Sequence, residues 1–200
     1  MSLIAIANPK GGVGKSTIAT NLAGYFAHTI QPVCLADLDE QQSSLNWLKL
    51  RPAELPSISA WHEPLELKPS LKNSTKIVDT PAGLKGQQLH WVLQNADKIL
   101  VPLQASMLDI LATENFLHTL AANRHRCKIG IVAMRINART KSAEQLQHYV
   151  DQLNLPVLAY LRETQNYIQL AAHGLSLWDV APSRVEKDLP QWQDLLDWLR

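Results

Sequence analysis

Short apolar runs alternate with amphipathic segments along most of the chain. Each run is bounded by polar or turn-forming residues and lacks the strict alternation of a strand with one face in water. Such runs are typical of strands that are buried on both faces of a parallel sheet. They occupy residues 3–7, 33–36, 58–61, 76–78, 98–103, 129–133 and 157–160.

Helical periodicity fills most of the intervals between these runs. Ile18, Leu22 and Phe26 recur at every fourth position and predict a helix after the first run. A later apolar helix face comprises Leu146, Tyr149, Val150 and Leu153. Ser142 and Gln145 precede that face and are predicted to form its capping box. Buried strands alternating with helices predict an α/β fold, a three-layer, doubly wound and mostly parallel sheet.

Three aspartates follow predicted strands. Asp37 and Asp39 come after the run 33–36, and Asp79 follows the run 76–78. Ligands of doubly wound sheets bind at the carboxyl ends of the strands, so we expect these side chains to gather at that edge. Asp37 and Asp39 are two positions apart, and on an extended backbone they point the same way. One is then expected to face a metal and the other an attacking water; the alternative is a solvated turn.

The first apolar run leads into the segment NPKGGVGKST at residues 8–17. This segment nearly matches the phosphate-binding pattern G-x-x-x-x-G-K-[ST], with Gly14, Lys15 and Ser16 in register. Pro9 stands where the pattern has its first glycine, and a second lysine, Lys10, comes next. Strand, loop and helix follow one another as a phosphate loop requires, so the sequence predicts a P-loop nucleotide site.

The residue types of this loop suit phosphates and magnesium. Its glycines allow backbone amides to turn toward an anion, and the following helix adds its positive end. Lys15 is expected to neutralise the β- and γ-phosphates, Ser16 to offer its hydroxyl to Mg²⁺, and Asp79 to hold that ion through water. Lys10 is either a solvated charge or a group that reaches phosphates held by a neighbouring molecule, and residue chemistry alone leaves both open.

Composition narrows the classes of function. A length of 200 residues with 46% apolar residues predicts one globular domain over residues 1–200. A net charge of +1 excludes a strongly basic nucleic-acid binder but leaves local basic patches open. Cys34 and Cys127 lack metal-site spacing and are expected to be buried free thiols. Neither a signal peptide nor an apolar run that could span a bilayer is found, so we expect a cytoplasmic protein.

Five segments together resemble the ParA/MinD ATPases. KGGVGKST at 10–17 resembles their deviant Walker A loop, and DLDEQQSSLNW at 37–47 resembles their second motif. KIVDTPAG at 76–83 resembles their Walker B and switch II strand. VPLQASMLDI at 101–110 and RINARTKSAEQL at 135–146 resemble later segments of the ParA branch. The segments cover most of the chain in the expected order, and the chain resembles the short ParA subgroup.

This resemblance implies an ATPase that uses ATP and Mg²⁺. It identifies Lys10 as the signature lysine, which crosses a dimer interface to the phosphates of the partner's ATP. It also implies that Asp37 lies near magnesium and that Asp39 lies beside the attacking water. The expected catalytic residues are Lys10, Lys15, Asp37 and Asp39. The expected metal-site residues are Ser16, Asp37 and Asp79. The expected nucleotide contacts are Lys10, Gly11, Gly12, Val13, Gly14, Lys15, Ser16 and Thr17.

The resemblance further implies a homodimer that forms on ATP binding and holds DNA without sequence preference. Such a dimer would position a cargo over the nucleoid. The cargo would be a plasmid, a chromosome or a large protein assembly. A ParB-like or other cargo adaptor protein is expected to stimulate slow hydrolysis and thereby release the dimer. Basic residues late in the chain are the candidate DNA contacts. They are Arg162, Arg184, Lys187 and Arg139.

The chain departs from the family pattern at two positions. Glu40 stands where proline is usual, and Met134 stands where an asparagine near the adenine is common. The first strand begins at Leu3, so we expect no N-terminal helix-turn-helix domain and no role in autorepression.

Other functions of a protein with this phosphate loop stay open. One alternative is a MinD-like or apparatus-assembly ATPase with a membrane or protein target, and another is a small-molecule ligase. The segment 188–200 predicts a C-terminal helix with an acidic polar face, which an anionic membrane would repel. We therefore expect no membrane binding and core packing for its apolar face. That face comprises Trp192, Leu195, Leu196 and Leu199.

Overall fold

One seven-stranded parallel sheet organises the computed structural model, which describes residues 2–30, 32–62, 73–104, 106–123, 125–136 and 139–200. The strands are β1 (Leu3–Ile6), β2 (Val33–Asp37), β3 (Ser59–Ala60), β4 (Thr75–Asp79), β5 (Lys98–Gln104), β6 (Lys128–Met134) and β7 (Val157–Leu161). Their order across the sheet is β3-β2-β4-β1-β5-β6-β7, and every neighbouring pair is parallel. Because all the strands run the same way, the ends of β1, β2 and β4 share one edge of the sheet.

Helices connect the strands and cover both faces of the sheet. They are α1 (Lys15–Thr29), α2 (Ser43–Leu50), α3 (Gly86–Asn95), α4 (Met107–Ala122), α5 (Lys141–Gln152), α6 (Gln165–Ala171) and α7 (Gln193–Leu199). Short 3-10 turns occupy Leu177–Asp179, Pro182–Arg184 and Leu189–Trp192. None of the helices in the described ranges is long and apolar enough to cross a bilayer.

Two hydrophobic cores lie on opposite faces of the sheet. Alternate residues of β1 enter different cores, with Ile4 and Ile6 on one side and Leu3 and Ala5 on the other. The first core is covered by α1, α2, α6 and α7, and the second by α3, α4 and α5. The predicted three-layer, doubly wound α/β fold is confirmed, and the sheet is parallel throughout its described strands.

Several local predictions need correction. The helix α5 is capped by Thr140, whose hydroxyl accepts a hydrogen bond from the Ala143 amide, and not by Ser142, which already lies inside the helix. The run 58–61 forms only the two-residue edge strand β3, and the Trp61 amide that follows still donates to the Leu35 carbonyl of β2 over 2.8 Å. The strand β4 begins at Thr75, one residue before the predicted run 76–78. Residues 63–72 lie outside the described ranges.

The C-terminal segment packs as predicted but is not a single helix. A 3-10 turn precedes α7, and the predicted apolar face of Trp192, Leu195, Leu196 and Leu199 is buried in the first core. Asp188, the first residue of the segment 188–200, precedes α7 and is completely buried, so it does not belong to the predicted acidic polar face. Cys34 and Cys127 are buried free thiols, as expected.

Candidate phosphate-binding site

The loop between β1 and α1 has the backbone shape of an anion cradle. Gly12 and Gly14 adopt positive φ angles of 73° and 101°, which glycine adopts without steric strain. Gly14 is the N-cap of α1 and offers no side-chain cap, so the first amides of this helix keep their hydrogen-bonding capacity for a ligand. A side chain at Gly14 would also meet Met134, whose Cε lies 2.6 Å from the position of an added Cβ. Met134 therefore packs on the loop itself.

Three hydrogen bonds hold the entrance of the loop. The buried Asn8 side chain donates to the Pro102 carbonyl over 2.8 Å and accepts from the Lys10 amide over 2.8 Å. The Gly83 amide donates to the Pro9 carbonyl over 2.6 Å, which joins the loop to the segment after β4. Sequence reasoning did not single out Asn8, although an Asn-Pro pair is a known turn signal.

Lys15 lies inside the loop. Its side chain is buried, and Nζ donates to the Lys10 carbonyl oxygen over 2.9 Å. Burial lowers the pKa of Lys15, while the nearby Asp79 and Asp39 carboxylates act in the opposite direction. The two aspartates thus compensate the charge of the loop lysine from the ends of neighbouring strands.

Lys10 points away from the loop and forms an ion pair with Asp109 in the first turn of α4. The Lys10 side chain is 42% exposed, whereas that of Asp109 is only 7% exposed. Asp109 also accepts a hydrogen bond from the Ser106 hydroxyl over 2.7 Å, and its amide donates back to that hydroxyl. The two lysines of the loop therefore have separate surroundings, one inside the loop and one at the surface.

Both carboxylate oxygens of Asp37 accept hydrogen bonds from backbone amides. Oδ1 accepts from the Asp39 amide over 2.9 Å, and Oδ2 accepts from the Ser44 amide over 2.8 Å. Burial raises the pKa of Asp37, and these amides oppose that shift. The extended backbone assumed for Asp37 and Asp39 is wrong, because β2 ends at Asp37 and the chain turns there. Asp39 is half-buried, and its Oδ1 accepts from the Gln41 amide over 3.0 Å.

Asp79 is the most deeply buried carboxylate of this edge, with 1% of its surface exposed. Its Oδ2 accepts from the Ser44 hydroxyl over 2.5 Å, whereas the buried Oδ1 has no hydrogen-bond partner in the described part of the chain. Burial raises the pKa of Asp79 to about 7, although the hydroxyls of Ser16 and Ser44 and the charge of Lys15 favour its ionised form. A buried carboxylate oxygen without a protein donor, close to the Ser16 hydroxyl, fits a hydrated divalent cation.

A crevice of about 360 Å³ lies along the phosphate loop, and its lining also includes Asp39, Gln41, Thr80 and Arg135. Arg135 is exposed and adopts a positive φ of 55°, an uncommon conformation for a residue other than glycine. Arg135 begins the family-like segment 135–146, but sequence reasoning did not predict its position at the crevice, because no local pattern marks a left-handed arginine.

The candidate DNA contacts lie in different environments. Arg162 is 37% exposed, and its Nε donates to the fully buried Asp188 over 2.6 Å. The Asn166 side chain donates to the other Asp188 oxygen over 2.6 Å. Arg162 therefore has an internal structural role, which its position after β7 did not reveal. Arg139, Arg184 and Lys187 are exposed.

The chain matches the model of the CobQ/CobB/MinD/ParA nucleotide binding domain over residues 4–177. It is 30% identical to maintenance of carboxysome distribution protein A of Gloeobacter kilaueensis, over 88% of this chain and 83% of that protein. It is 28% identical to the chromosome-partitioning ATPase Soj of Thermus thermophilus, over 72% of this chain and 73% of Soj.

Solved structures share the fold. McdA from Cyanothece aligns with a TM-score of 0.77 and 18% identity, over 98% of this chain and 99% of that chain. The ATP complex of a single-substitution variant of Cyanothece McdA aligns with a TM-score of 0.72 and 18% identity, over 98% and 96% of the two chains. The family model and the 30% identical relative confirm the resemblance inferred from the motifs. The chain belongs to the CobQ/CobB/MinD/ParA nucleotide-binding family, and it is an ATPase domain of the ParA/MinD type.

Proposed function

We propose that this chain is a positioning ATPase that dimerises on binding ATP, holds non-specific DNA as a dimer, and is released when a partner stimulates hydrolysis. In this proposal, residues 1–200 act as one ATPase domain, and the protein is cytoplasmic and nucleoid-associated in its ATP state. The observation that carries the proposal is the separation of the two loop lysines. Lys15 is buried inside the loop, and Lys10 lies 42% exposed at its entrance.

The residues present fit ATP and Mg²⁺. Backbone amides of residues 11–16 and the ammonium of Lys15 would hold the phosphates, and Thr17 lies next along the crevice. The Ser16 hydroxyl and Asp79 Oδ1 would serve the metal, since that oxygen has no protein donor in the described residues. Bound Mg²⁺ neutralises phosphate charge during phosphoryl transfer to water. The half-buried Asp39 borders the crevice and is the proposed partner of the attacking water. Asp37 is proposed to support the metal side through Ser44, whose amide donates to Asp37 and whose hydroxyl donates to Asp79.

The exposure of Lys10 supports the dimer. An ammonium group held inside its own loop would duplicate the role of Lys15, whereas one at the surface is able to contact a second subunit. Lys10 pairs with Asp109 within the chain, so contact with a partner's nucleotide requires that ion pair to exchange for an intersubunit one. Nucleotide-dependent dimerisation is therefore a competition between two partners of the same lysine.

Exposed cations support a DNA target. Arg184, Lys187 and Arg139 lie at the surface, and dimerisation would double their number on one particle. Each phosphate that a cation neutralises adds to the affinity and to its salt dependence, so a doubled patch binds where a monomer does not. The apolar face of α7 is packed in the core, which supports a target other than a membrane. The adaptor and the cargo are the expected partners beyond DNA.

Retention of unrelated duplex DNA tests the proposal. Protein with a slowly hydrolysed ATP analogue and Mg²⁺ should elute as a dimer and retard duplex DNA at low salt, whereas the ADP-loaded protein should do neither. Vesicles of anionic lipid in place of DNA provide the membrane arm of the same assay. A dimer that binds vesicles and ignores DNA would favour the MinD-like alternative. Phosphate release that rises with a small carboxylate or amine substrate would favour the ligase.

A further inference from the structure

Ser44 bridges the ends of two strands. Its hydroxyl donates to Asp79 Oδ2 over 2.5 Å, and its amide donates to Asp37 Oδ2 over 2.8 Å. The residue is fully buried, and Asp79 is exposed by only 1%. A single serine at the start of α2 thus contacts the carboxylates that end β2 and β4.

The backbone before Ser44 explains how it reaches this position. The helix α2 begins at Ser43, and its N-cap Gln42 has a left-handed φ of 48° and no side-chain cap. The cap is supplied instead by Asp37, seven positions earlier in the chain, through the Ser44 amide. The start of α2 is therefore fixed by the end of β2, and the intervening turn carries Asp39 into the crevice.

The hydrogen bond from Ser44 makes the two carboxylate oxygens of Asp79 unequal. Oδ2 is occupied by the Ser44 hydroxyl, and Oδ1 is buried with no donor among the described residues. A donor on one oxygen restrains rotation of the carboxylate about its Cβ–Cγ bond. It therefore decides which oxygen is available to a metal or to a metal-bound water, as outer hydrogen bonds do at metal sites in general.

We propose that Ser44 is a positioning residue for magnesium, because it holds Asp79 by one oxygen and leaves the other for the metal shell. This inference rests on the proposed Mg²⁺–ATP site. It adds a coupling that the loop motif does not contain. The same serine connects the metal-facing carboxylate to the turn with Asp39, so a displacement of α2 would reach the metal side and the water side of the crevice together.

The chain provides a matched control for deletion of this hydroxyl. Ser176 is also fully buried, and its hydroxyl donates to the Asp179 carboxylate over 2.5 Å, next to the 3-10 turn Leu177–Asp179. Ser44→Ala and Ser176→Ala therefore remove the same kind of hydrogen bond from two different places. A general loss of stability should appear in both variants, whereas a change in magnesium dependence should appear only in the first.

The experiment is a titration of Mg²⁺ against the binding of a fluorescent, slowly hydrolysed ATP analogue, with an EDTA arm for metal-free affinity. For Ser44→Ala we expect the half-saturating Mg²⁺ concentration to rise about tenfold, the size of effect typical of outer-shell groups. The affinity in EDTA should change by less than about twofold, since the hydroxyl does not touch the phosphate loop. Ser176→Ala should match the wild type in both arms.

Three results would decide against the inference. A Ser44→Ala titration that overlays the wild type, or a shift equal to that of Ser176→Ala, overturns the role of Ser44 and leaves the ATP site intact. If nucleotide binding by the wild type does not depend on Mg²⁺, that result overturns the proposed site and the inference together. If Ser44→Ala does not fold, Ser44→Cys keeps a weaker donor on a slightly larger side chain and should give a smaller shift in the same direction.

Discussion

Lys10 and Asp109 connect the entrance of the phosphate loop to the first turn of α4 through an ion pair within one chain. Asp109 is almost fully buried and is also bonded to Ser106, so its carboxylate is the fixed member of the pair. Lys10 is the mobile member, because it has a long side chain with much of its surface in solvent. Lys10 has to leave its ion pair with Asp109 before it contacts a second subunit.

Lys10→Ala should abolish ATP-dependent dimerisation while the monomer still binds nucleotide through Lys15. The physical reason is that an alanine cannot reach a neighbouring phosphate, whereas Lys15 stays buried in its own loop. Light scattering with a slowly hydrolysed ATP analogue measures the dimer. Lys49→Ala, at an exposed lysine of α2, is the control and should dimerise normally. A Lys10→Ala protein that dimerises like the wild type would contradict the proposal that Lys10 contacts the partner's ATP across the dimer interface.

Asp109→Asn should strengthen the ATP-dependent dimer. The substitution removes the charge that competes for Lys10 but keeps an acceptor for Ser106. A gain of about 1 kcal/mol per subunit, the upper range for a partly exposed ion pair, amounts to about 2 kcal/mol for the two pairs of a dimer and roughly thirtyfold tighter dimerisation. Analytical ultracentrifugation at fixed nucleotide concentration measures the dimer dissociation constant. Glu114→Gln, on the same helix, should leave the constant unchanged, and a weaker dimer for Asp109→Asn would contradict the competition.

Asp179 should make the fold sensitive to acid. Its buried carboxylate accepts two bonds from Arg51 at 2.8 and 2.9 Å, and others from His28 and Ser176. Burial alone would raise the pKa of Asp179, but these donors outweigh it and lower the pKa to about 2 from an ordinary 3.8. A lowered pKa stabilises the folded state above the unfolded value. The contribution of about 2 kcal/mol is therefore lost as the pH falls from about 5 toward 2.

Urea unfolding of Asp179→Asn tests this sign. The variant should be about 3 kcal/mol less stable than the wild type at pH 7, since Arg51 loses its buried partner. That difference should narrow at pH 3, because the carboxyl group of the unfolded wild type is then largely protonated, whereas the folded-state carboxyl group, with a pKa of about 2, is still mostly ionised. Asp197→Asn, at a half-exposed carboxylate near Arg200, should change stability by less than about 0.5 kcal/mol. A difference that does not vary with pH would contradict the assignment.

Arg184 and Lys187 should contribute to DNA binding through phosphate contacts. Replacing both by alanine removes four cations from a dimer, so the slope of log affinity against log salt should fall by up to about 4, and binding at low salt should weaken for every sequence. Lys128→Ala is the control, because Lys128 begins β6 at the sheet edge opposite the phosphate loop. Fluorescence anisotropy with two unrelated duplexes measures the slopes. An equal effect of Lys128→Ala would indicate binding by overall charge.

Arg162→Ala should lower stability by about 3 kcal/mol, because Asp188 would keep a fully buried charge without its cation. Adding Asp188→Asn should recover part of that loss, since the amide carries no charge to compensate. Thermal unfolding of the two variants measures both effects. An Arg162→Ala protein with wild-type stability and weaker DNA binding would instead make Arg162 a direct DNA contact.

The sequence by itself determined the layered fold and the phosphate loop, because both follow from residue patterns that are local in the chain. Buried runs such as 33–36 and 98–103 became β2 and β5, since a continuous apolar strand is stable only with both faces covered. The loop NPKGGVGKST is likewise local, and its glycines and Lys15 act through their own backbone and their immediate neighbours.

Only the tertiary structure decided which distant side chains pair. Ser44 meets Asp79, Arg162 meets the buried Asp188, and Lys10 meets Asp109, although no spacing in the sequence connects these partners. Strand order brings such groups together, and strand order depends on packing between whole elements. A buried charge or hydroxyl then takes the partner that packing supplies, because the desolvation cost of leaving it alone is large. Local patterns therefore located the site, and long-range packing determined the hydrogen bonds that orient it.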